Sequence, residues 1–169
     1  MKRAIVLFPK FDPNGILWEI RKKYDPLADF IESHITVVFP FNSNLSIDRL
    51  ERDMSEALQG SHQFEIRLQD FTGDFRDGYL FLNVKKGNDP IIALHDRLYN
   101  GVLKKFLFRG LTFCPHLTVG RLTNRMEFDR AIDRLSGCQE SFETVINTIF
   151  VVNIDGTEHA KIEFSIELD

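Results

Sequence analysis

The chain has 169 residues, 43% hydrophobic and 27% charged, a composition that can close one core and excludes a disordered chain. Its net charge of −4 at pH 7 excludes a general attraction to nucleic acid, so any anion site must be local. The apolar run Ala4 to Phe8 is too short for a membrane span or a signal-peptide core, and two cysteines without metal-finger spacing favour a cytoplasmic protein.

The first half of the chain predicts the order strand, helix, strand, helix, strand. Apolar residues recur at near-helical spacing from Ile16 to Ile31, with a break expected at Pro26. Ser46 is a typical helix N-cap, and Gly60 lies just past the end of that helix. The expected strands are residues 4–8, 35–41 and 63–71, and the expected helices are residues 16–31 and 46–58.

The second half of the chain repeats this order and adds a final strand. Its helices are predicted from apolar residues at helical spacing, and its strands from β-branched and aromatic runs. The expected helices are residues 90–108 and 127–135, and the expected strands are residues 79–84, 117–119, 142–154 and 161–168.

An internal duplication is indicated by two short segments. His34-Ile35-Thr36-Val37 and His116-Leu117-Thr118-Val119 match at an offset of 82 residues. The same offset aligns residues 47–58 with 129–140 and residues 64–71 with 146–153. We therefore expect one domain, residues 1–169, with pseudo-twofold halves of about 1–75 and 76–169.

The two His-x-Thr motifs carry the chemistry. Residues i and i+2 of a strand point to the same face, so each motif presents an imidazole and a hydroxyl about 7 Å apart at their Cα atoms. Two such pairs can handle a phosphodiester without a metal, because one imidazole can deprotonate water while the other protonates the leaving oxygen. The alternative to a catalytic role is that His34 and His116 are interior histidines in unrelated strands, and that the threonines are present because they favour strands.

The motifs, with Phe39-Pro40-Phe41 after the first and Gly120-Arg121 after the second, resemble the 2H phosphoesterase superfamily. The resemblance is to its bacterial 2'-5' RNA ligase-like (LigT-like) branch and covers nearly the whole chain. It implies an α+β fold, bilobal, with a duplicated β-α-β-α-β order and antiparallel sheets around a central cleft. Members of this family mostly open 2',3'-cyclic phosphates or related cyclic phosphodiesters, and some join or cleave 2'-5' linked RNA.

The resemblance also implies roles for the motif residues in a metal-independent hydrolase of RNA processing that needs no cofactor. His34 would be the proton donor and His116 the proton acceptor, with Thr36 and Thr118 binding the phosphate. The pseudo-twofold makes the two histidine roles nearly interchangeable on sequence alone. A non-catalytic module that binds a nucleotide or an RNA end in the same cleft is the alternative, and a third possibility is hydrolysis of a non-nucleotide ester.

Two further residues are candidates for substrate binding. Arg121 could reach the phosphate as a bidentate donor or form a surface ion pair. Phe41 could stack on a nucleobase, although core packing is the default in a chain with 16 Phe. Cys114 is expected to be a small buried residue. His62, His95 and His159 lack a Thr at the second following position and are expected to be structural or surface residues.

The charge distribution limits the expected partners. Residues 80–125 carry eight basic and two acidic side chains, a modest basic segment that leads into and out of His116. A long RNA would favour a broader positive stripe, so we expect a small phosphodiester or a terminal RNA phosphate as substrate. No extended nucleic-acid surface, membrane contact or metal is expected, and the protein is expected to be a monomer.

Overall fold

A computed structural model describes residues 1–154 and 160–169 of the protein. The predicted structural role of His159 falls outside the described residues. The helices are α1 (Ile16–Tyr24), α2 (Ile47–Leu58), α3 (Asn88–Asn100) and α4 (Arg125–Ser136), and a 3-10 turn covers Lys104–Phe106. The strands are β1 (Lys2–Leu7), β2 (Ile35–Asn42), β3 (Phe64–Asp74), β4 (Tyr79–Lys86), β5 (His116–Arg121), β6 (Phe142–Ile146), β7 (Thr148–Asn153) and β8 (Lys161–Glu167).

The eight described strands form one antiparallel sheet in the order β6-β3-β4-β5-β2-β1-β7-β8. All four helices bury residues in the same main core cluster, so they cover one face of this sheet. Burial of each large apolar side chain in that layer contributes about 1.5–3 kcal/mol. The predicted α+β fold with antiparallel strands is confirmed, and its strands are continuous across the middle of the molecule.

The centre of the sheet is a single contact between two strands. β2 and β5 pair through Ile35 and Leu117, and both side chains are fully buried in the core. The strand order on one side of this contact mirrors the order on the other, with β1 and β4 next to the centre. Each histidine motif therefore begins at the middle of the sheet. The internal duplication remains a prediction, and this mirrored order fits it.

The third strand of each expected repeat is exchanged between the two sides. β3 pairs with β4, whereas β7 pairs with β1, so each of these strands lies beside the other half of the chain. The two halves of the chain are therefore connected by these strand pairings as well as by the contact between Ile35 and Leu117. This arrangement keeps the two motif strands at a fixed position relative to each other.

Three predicted elements differ from the structure by more than three residues or in number, whereas the bounds of the others differ by at most three residues. α1 ends at Tyr24, because Pro26 cannot continue a helix and disfavours helical backbone at the residue before it. α3 ends at Asn100, where Gly101 follows, and a 3-10 turn replaces its expected last turns. The single strand expected over residues 142–154 is two strands, because β6 pairs with β3 and β7 with β1 on opposite sides of the sheet.

Among the described residues, no helix has both the length and the apolar composition needed to cross a membrane.

Candidate active site at the centre of the sheet

The four motif side chains share the face of the sheet that points away from the helices, which we call the motif face. Ile35 and Leu117 point into the core, so their strand neighbours point the other way. The structure thus brings together all four motif residues, and each is partly exposed. In this antiparallel register each histidine lies beside the threonine of the other motif. The four residues are His34, Thr36, His116 and Thr118.

Both imidazoles are held by the same backbone contact. His34 Nδ1 lies 2.8 Å from the carbonyl oxygen of Glu32, and His116 Nδ1 lies 2.8 Å from the carbonyl oxygen of Cys114. A carbonyl can only accept, so Nδ1 carries the proton in each ring. Nε2 of both rings is therefore the atom that can accept or donate a proton during a reaction.

Burial lowers the pKa of both histidines below the ordinary histidine value. For His34 the contact with the Glu32 carbonyl opposes this effect, Arg21 lowers the pKa further, Asp25 raises it, and His116 lowers it. For His116 the contact with the Cys114 carbonyl opposes the effect of burial. Both rings are therefore mainly neutral at pH 7, the state in which Nε2 can act as a base.

An aromatic ring packs against each imidazole, but from different strands. Phe81 of β4 lies 4.2 Å from His116 between ring centroids, and Phe8, just after β1, lies 6.3 Å from His34. The two histidines therefore have equivalent backbone anchors and unequal side-chain neighbours.

The motif face differs in chemistry on its two sides. Beside β2 it is apolar, with Ala4, Val6 and Val152 buried in a second small cluster against Phe8 and Phe150. Beside β5 it carries mixed side chains, because Tyr79, Phe81 and Asn83 of β4 alternate onto this face and are partly exposed.

The amide of Asn83 is held in place on the β5 side. Its Oδ1 accepts a hydrogen bond from Thr72 Oγ1 at 2.9 Å, and the register places Asn83 directly opposite His116. Phe81 and Asn83 were not among the residues predicted from the sequence for this site. The alternation in residues 79–84 was the available signal, since it places Tyr79, Phe81 and Asn83 on one face.

Arg121 reaches the motif face through an irregularity in β5. The register shifts between Leu80 and Phe81, so that β5 contains one extra residue after Thr118. This bulge returns Arg121 to the side of Tyr79, and its guanidinium lies 5.0 Å from the centroid of that ring. The predicted ligand role of Arg121 is thus compatible with its position, and the residue is exposed.

Phe41 is the predicted site residue that the structure does not bring to the motifs. It is only 5% exposed, belongs to the main core cluster, and packs 4.9 Å from Phe106 between ring centroids. The alternation of β2 gives the reason, because Phe41 lies five positions after Thr36, and residues an odd number of positions apart point to opposite faces of a strand. Its predicted stacking role is therefore corrected to a role in core packing.

Three other predictions concern residues near the motifs. Cys114 was expected to be buried and is exposed, and its contribution is the carbonyl that holds His116. His95 is buried on α3, where it stacks on Phe113 at 4.0 Å, as expected of a structural residue. Among the described residues, no group of three or more His, Cys, Asp or Glu side chains is placed to hold a metal ion.

Known structures share this fold over nearly the entire chain. E. coli LigT complexed with 3'-AMP aligns with a TM-score of 0.63 at 15% identity, covering 99% of this chain and 97% of that one. A protein of Thermus thermophilus aligns with a TM-score of 0.68 at 13% identity, covering 99% and 98%. At these identities the likeness establishes the fold.

Sequence comparison identifies the family. The model of the 2'-5' RNA ligase superfamily matches residues 10–158, so the chain belongs to this superfamily. A Geobacillus thermodenitrificans protein named "Putative phosphoesterase" is 29% identical over 126 residues, covering 72% of this chain and 69% of that protein. A Bacillus licheniformis protein given the same description is 27% identical over 148 residues, covering 87% and 86%. These relatives support a phosphoesterase at the level of class.

Proposed function

We propose that the protein is a metal-independent phosphodiesterase that opens 2',3'-cyclic phosphates of nucleotides or RNA ends. The observation that supports this most directly is the pair of histidines on one face, each with Nδ1 2.8 Å from a carbonyl oxygen. Nε2 of each ring is then the nitrogen left for proton transfer, and the register sets each threonine beside the histidine of the other motif. General acid and base groups of this kind contribute about 10²- to 10⁴-fold in rate.

In the proposed reaction, His116 Nε2 accepts a proton from water while the water oxygen forms a bond to phosphorus. The bond from phosphorus to one ring oxygen breaks, and His34, which must enter the step in its protonated form, donates its Nε2 proton to that leaving oxygen. Thr36 and Thr118 donate hydrogen bonds to the non-bridging oxygens, whose charge is stabilised best by donors already in place. The product is a phosphate monoester with a free ribose hydroxyl, and proton exchange with solvent resets both rings.

The same residues would support 2'-5' ligation, which we include in the proposal. A 5'-hydroxyl of an RNA end would lose its proton to His116 and attack phosphorus, while the bond from phosphorus to the 3' oxygen breaks and protonated His34 gives its proton to that oxygen. The product would be a 2'-5' phosphodiester with a free 3'-hydroxyl. The attacking group alone distinguishes this reaction from hydrolysis. The superfamily description is what motivates testing it.

The proposed substrate is small or is the end of an RNA. The net charge of −4 gives no field that would attract a long nucleic acid, and Arg121 with the Asn83 amide provides only local polar contacts. The structures of E. coli LigT complexed with ATP and with 3'-AMP support a nucleotide ligand for a protein of this fold. Two free cysteines fit the proposal of a monomeric cytoplasmic enzyme.

The test is hydrolysis of a 2',3'-cyclic mononucleotide in EDTA by the wild type and by His34→Ala and His116→Ala. We expect turnover by the wild type and a loss of about 10²- to 10⁴-fold in each variant. His62→Ala is the control, since His62 is an exposed histidine that lies between α2 and β3, outside the motifs. Circular dichroism would show that all variants fold.

Two results would contradict the proposal. Unchanged turnover in either motif variant would show that the pair is not the acid and base. Nucleotide binding by the wild type without any product would favour the non-catalytic module, and turnover of carboxylic esters alone would favour an esterase.

A further inference from the structure

Arg21 of α1 is a buried charged residue that the proposed reaction does not use. It is 3% exposed, and the only other Arg or Lys buried to this extent among the described residues is Arg3. An arginine of this kind requires several partners, because burying an unpaired charge is costly. The partners of Arg21 all belong to one segment, residues 25–33, which leads from α1 to His34.

The guanidinium of Arg21 binds both ends of this segment. Its Nε and one terminal nitrogen donate to Asp25 Oδ2 at 3.0 and 2.7 Å. The terminal nitrogens also donate to the carbonyl oxygen of Ile31 at 2.8 Å and to Ser33 Oγ at 3.1 Å. Asp25 in turn accepts the backbone N–H of Leu27 at 3.0 Å, which fixes the turn after the helix.

These contacts enclose the residue that orients His34. Ile31 and Ser33 are the neighbours of Glu32, whose carbonyl oxygen holds His34 Nδ1. A shift of the Ile31 and Ser33 backbone would therefore move the anchor of the imidazole. The planar guanidinium suits this task, because it presents several donors in a fixed geometry.

The equivalent segment before His116 is held differently. Phe113, three residues before His116, stacks on His95 of α3 at 4.0 Å and meets Phe39 edge-on at 6.4 Å. Neither buried arginine among the described residues donates a hydrogen bond to this segment, since Arg21 donates to residues 25–33 and Arg3 donates to Glu163 and to the carbonyl oxygen of Leu45. The ion pair with Asp25 is thus specific to the first motif.

We propose that Arg21 and Asp25 are a positioning pair for His34 alone, which holds the segment before His34 in a way that the segment before His116 is not held. This inference concerns how the proposed active site works, and its kinetic part therefore rests on the proposed function.

The charged groups that face His34 determine the direction in which each substitution should change its pKa. They are Arg21 and Asp25 from α1 and its end, and His116 from β5. After the larger effect of burial, Arg21 lowers the pKa of His34, whereas Asp25 raises it. Loss of the arginine charge should therefore raise this pKa, and loss of the aspartate charge should lower it.

The first experiment is an NMR titration of the histidine ring protons, which requires no turnover. We expect the pKa of His34 to rise in Arg21→Gln and to fall in Asp25→Asn, with the pKa of His116 unchanged in both. Arg3→Gln is the matched control, because Arg3 is also buried, pairs with Glu163 at 2.6 Å and donates to a carbonyl, that of Leu45. Arg3→Gln should leave both histidine pKa values unchanged.

Equal pKa values of His34 in the wild type, Arg21→Gln and Asp25→Asn would overturn the proposal, as would equal shifts of His34 and His116. Asp25→Asn keeps the test open if Arg21→Gln does not fold. Because the titration needs no substrate, its outcome is independent of whether the wild type hydrolyses a cyclic phosphate.

The second experiment is the pH profile of kcat/KM for cyclic phosphate hydrolysis. Arg21→Gln should lower kcat by about 10- to 100-fold and move one limb of the profile to higher pH, while Arg3→Gln moves neither limb. The moved limb should be the alkaline one, because His34 donates the proton. Movement of the acid limb alone would support the positioning pair and exchange the two histidine roles; movement of both limbs or of neither would overturn it.

Replacing Arg21 with lysine separates the effect of the positive charge on His34 from the effect of the guanidinium geometry. Arg21→Lys keeps the positive charge near His34 but cannot bind Asp25, Ile31 and Ser33 together in the same planar arrangement. We expect the limb of the pH profile to stay at its wild-type position while kcat remains below that of the wild type. A fully active Arg21→Lys with a wild-type profile would contradict the positioning role of the guanidinium.

Discussion

His34 and His116 are held by the same backbone contact, at the same 2.8 Å, but the surroundings of the two rings differ. On the β2 side, the segment before the histidine is fixed by the Arg21 ion pair, and the motif face is apolar. On the β5 side, the preceding segment is fixed by aromatic stacking, and the motif face carries an amide and a guanidinium. The backbone thus holds the two imidazoles in the same way, and the side chains around the rings make their environments different.

This comparison suggests how one face can bind a substrate in one direction. A polar ligand would find hydrogen-bond partners beside β5, at Asn83 and Arg121, whereas beside β2 it would meet Phe8 and Phe150. Burying polar groups against an apolar surface is unfavourable, so the substrate should lie with its polar end toward β5. A substrate bound in one direction gives each histidine a single role.

The largest expected effect is that of removing both histidines. The double variant His34→Ala/His116→Ala should lose about 10²- to 10⁴-fold in kcat, close to the loss in the more damaged single variant. Effects of groups that act in one step are not additive, because the loss of either group already stops the step. Single-turnover assays of the wild type, both single variants and the double variant measure this. A loss in the double variant equal to the product of the single losses would show that the histidines act independently.

A smaller effect is expected from the threonines. Thr36→Val and Thr118→Val keep the shape of the side chain and remove the hydroxyl that donates to the phosphate. Hydrogen bonds to charged groups contribute about 1.5–3 kcal/mol, which corresponds to roughly 10- to 150-fold in kcat/KM. Both residues are partly exposed, so folding should be unaffected. Steady-state kinetics check this, and wild-type kcat/KM in Thr118→Val would remove that residue from the proposed site.

The pH dependence of the wild type should reveal both histidines. The proton acceptor must be neutral, so activity falls as the pH drops through its pKa; the donor must be protonated, so activity falls as the pH rises through its pKa. Burial lowers both values in the free protein. We therefore expect a bell-shaped profile of kcat/KM centred below the ordinary histidine value of about 6.5.

Bound substrate should change this profile in a defined direction. The phosphate anion favours the protonated form of both rings, so the profile of kcat should lie at higher pH than that of kcat/KM. Rates of hydrolysis measured from pH 4 to 9, at low and at saturating substrate, provide the comparison. A kcat/KM profile without an alkaline limb would be inconsistent with a protonated histidine donor.

The sequence allowed the motifs and most of the fold to be predicted, for physical reasons that can be stated. The alternation that places His34 with Thr36 and His116 with Thr118 is a local property of a strand, and the end of α1 at Pro26 is a local property of proline. Both could therefore be predicted from the sequence. Alternation also separates Phe41 from Thr36, so its assignment to the site was avoidable. The place of each strand in the sheet could not be predicted, because β6 and β7 follow each other in the chain but pair at opposite sides. The bulge in β5, which brings Arg121 to the motif face, could not be predicted either. The role of Arg21 depends on contacts with residues up to 12 positions away, which no spacing indicated.

The smallest expected effect comes from Gly120, where α1 approaches β5. A Cβ added at Gly120 would lie 2.7 Å from the Cβ and 2.9 Å from the carbonyl oxygen of Tyr24, so α1 would have to shift. Gly120→Ala should therefore lower the free energy of unfolding by about 1–3 kcal/mol and, because α1 carries Arg21, reduce kcat a few-fold.

Gly137→Ala is the matched control, since its backbone is already helical and its nearest neighbour is 3.8 Å away. That control should leave stability unchanged or raise it by about 0.4–1 kcal/mol. Urea denaturation and steady-state kinetics of both variants measure the difference. A loss of stability in Gly120→Ala without any change in kcat would show that the site tolerates a displaced α1, which would also weaken the proposed link between Arg21 and His34.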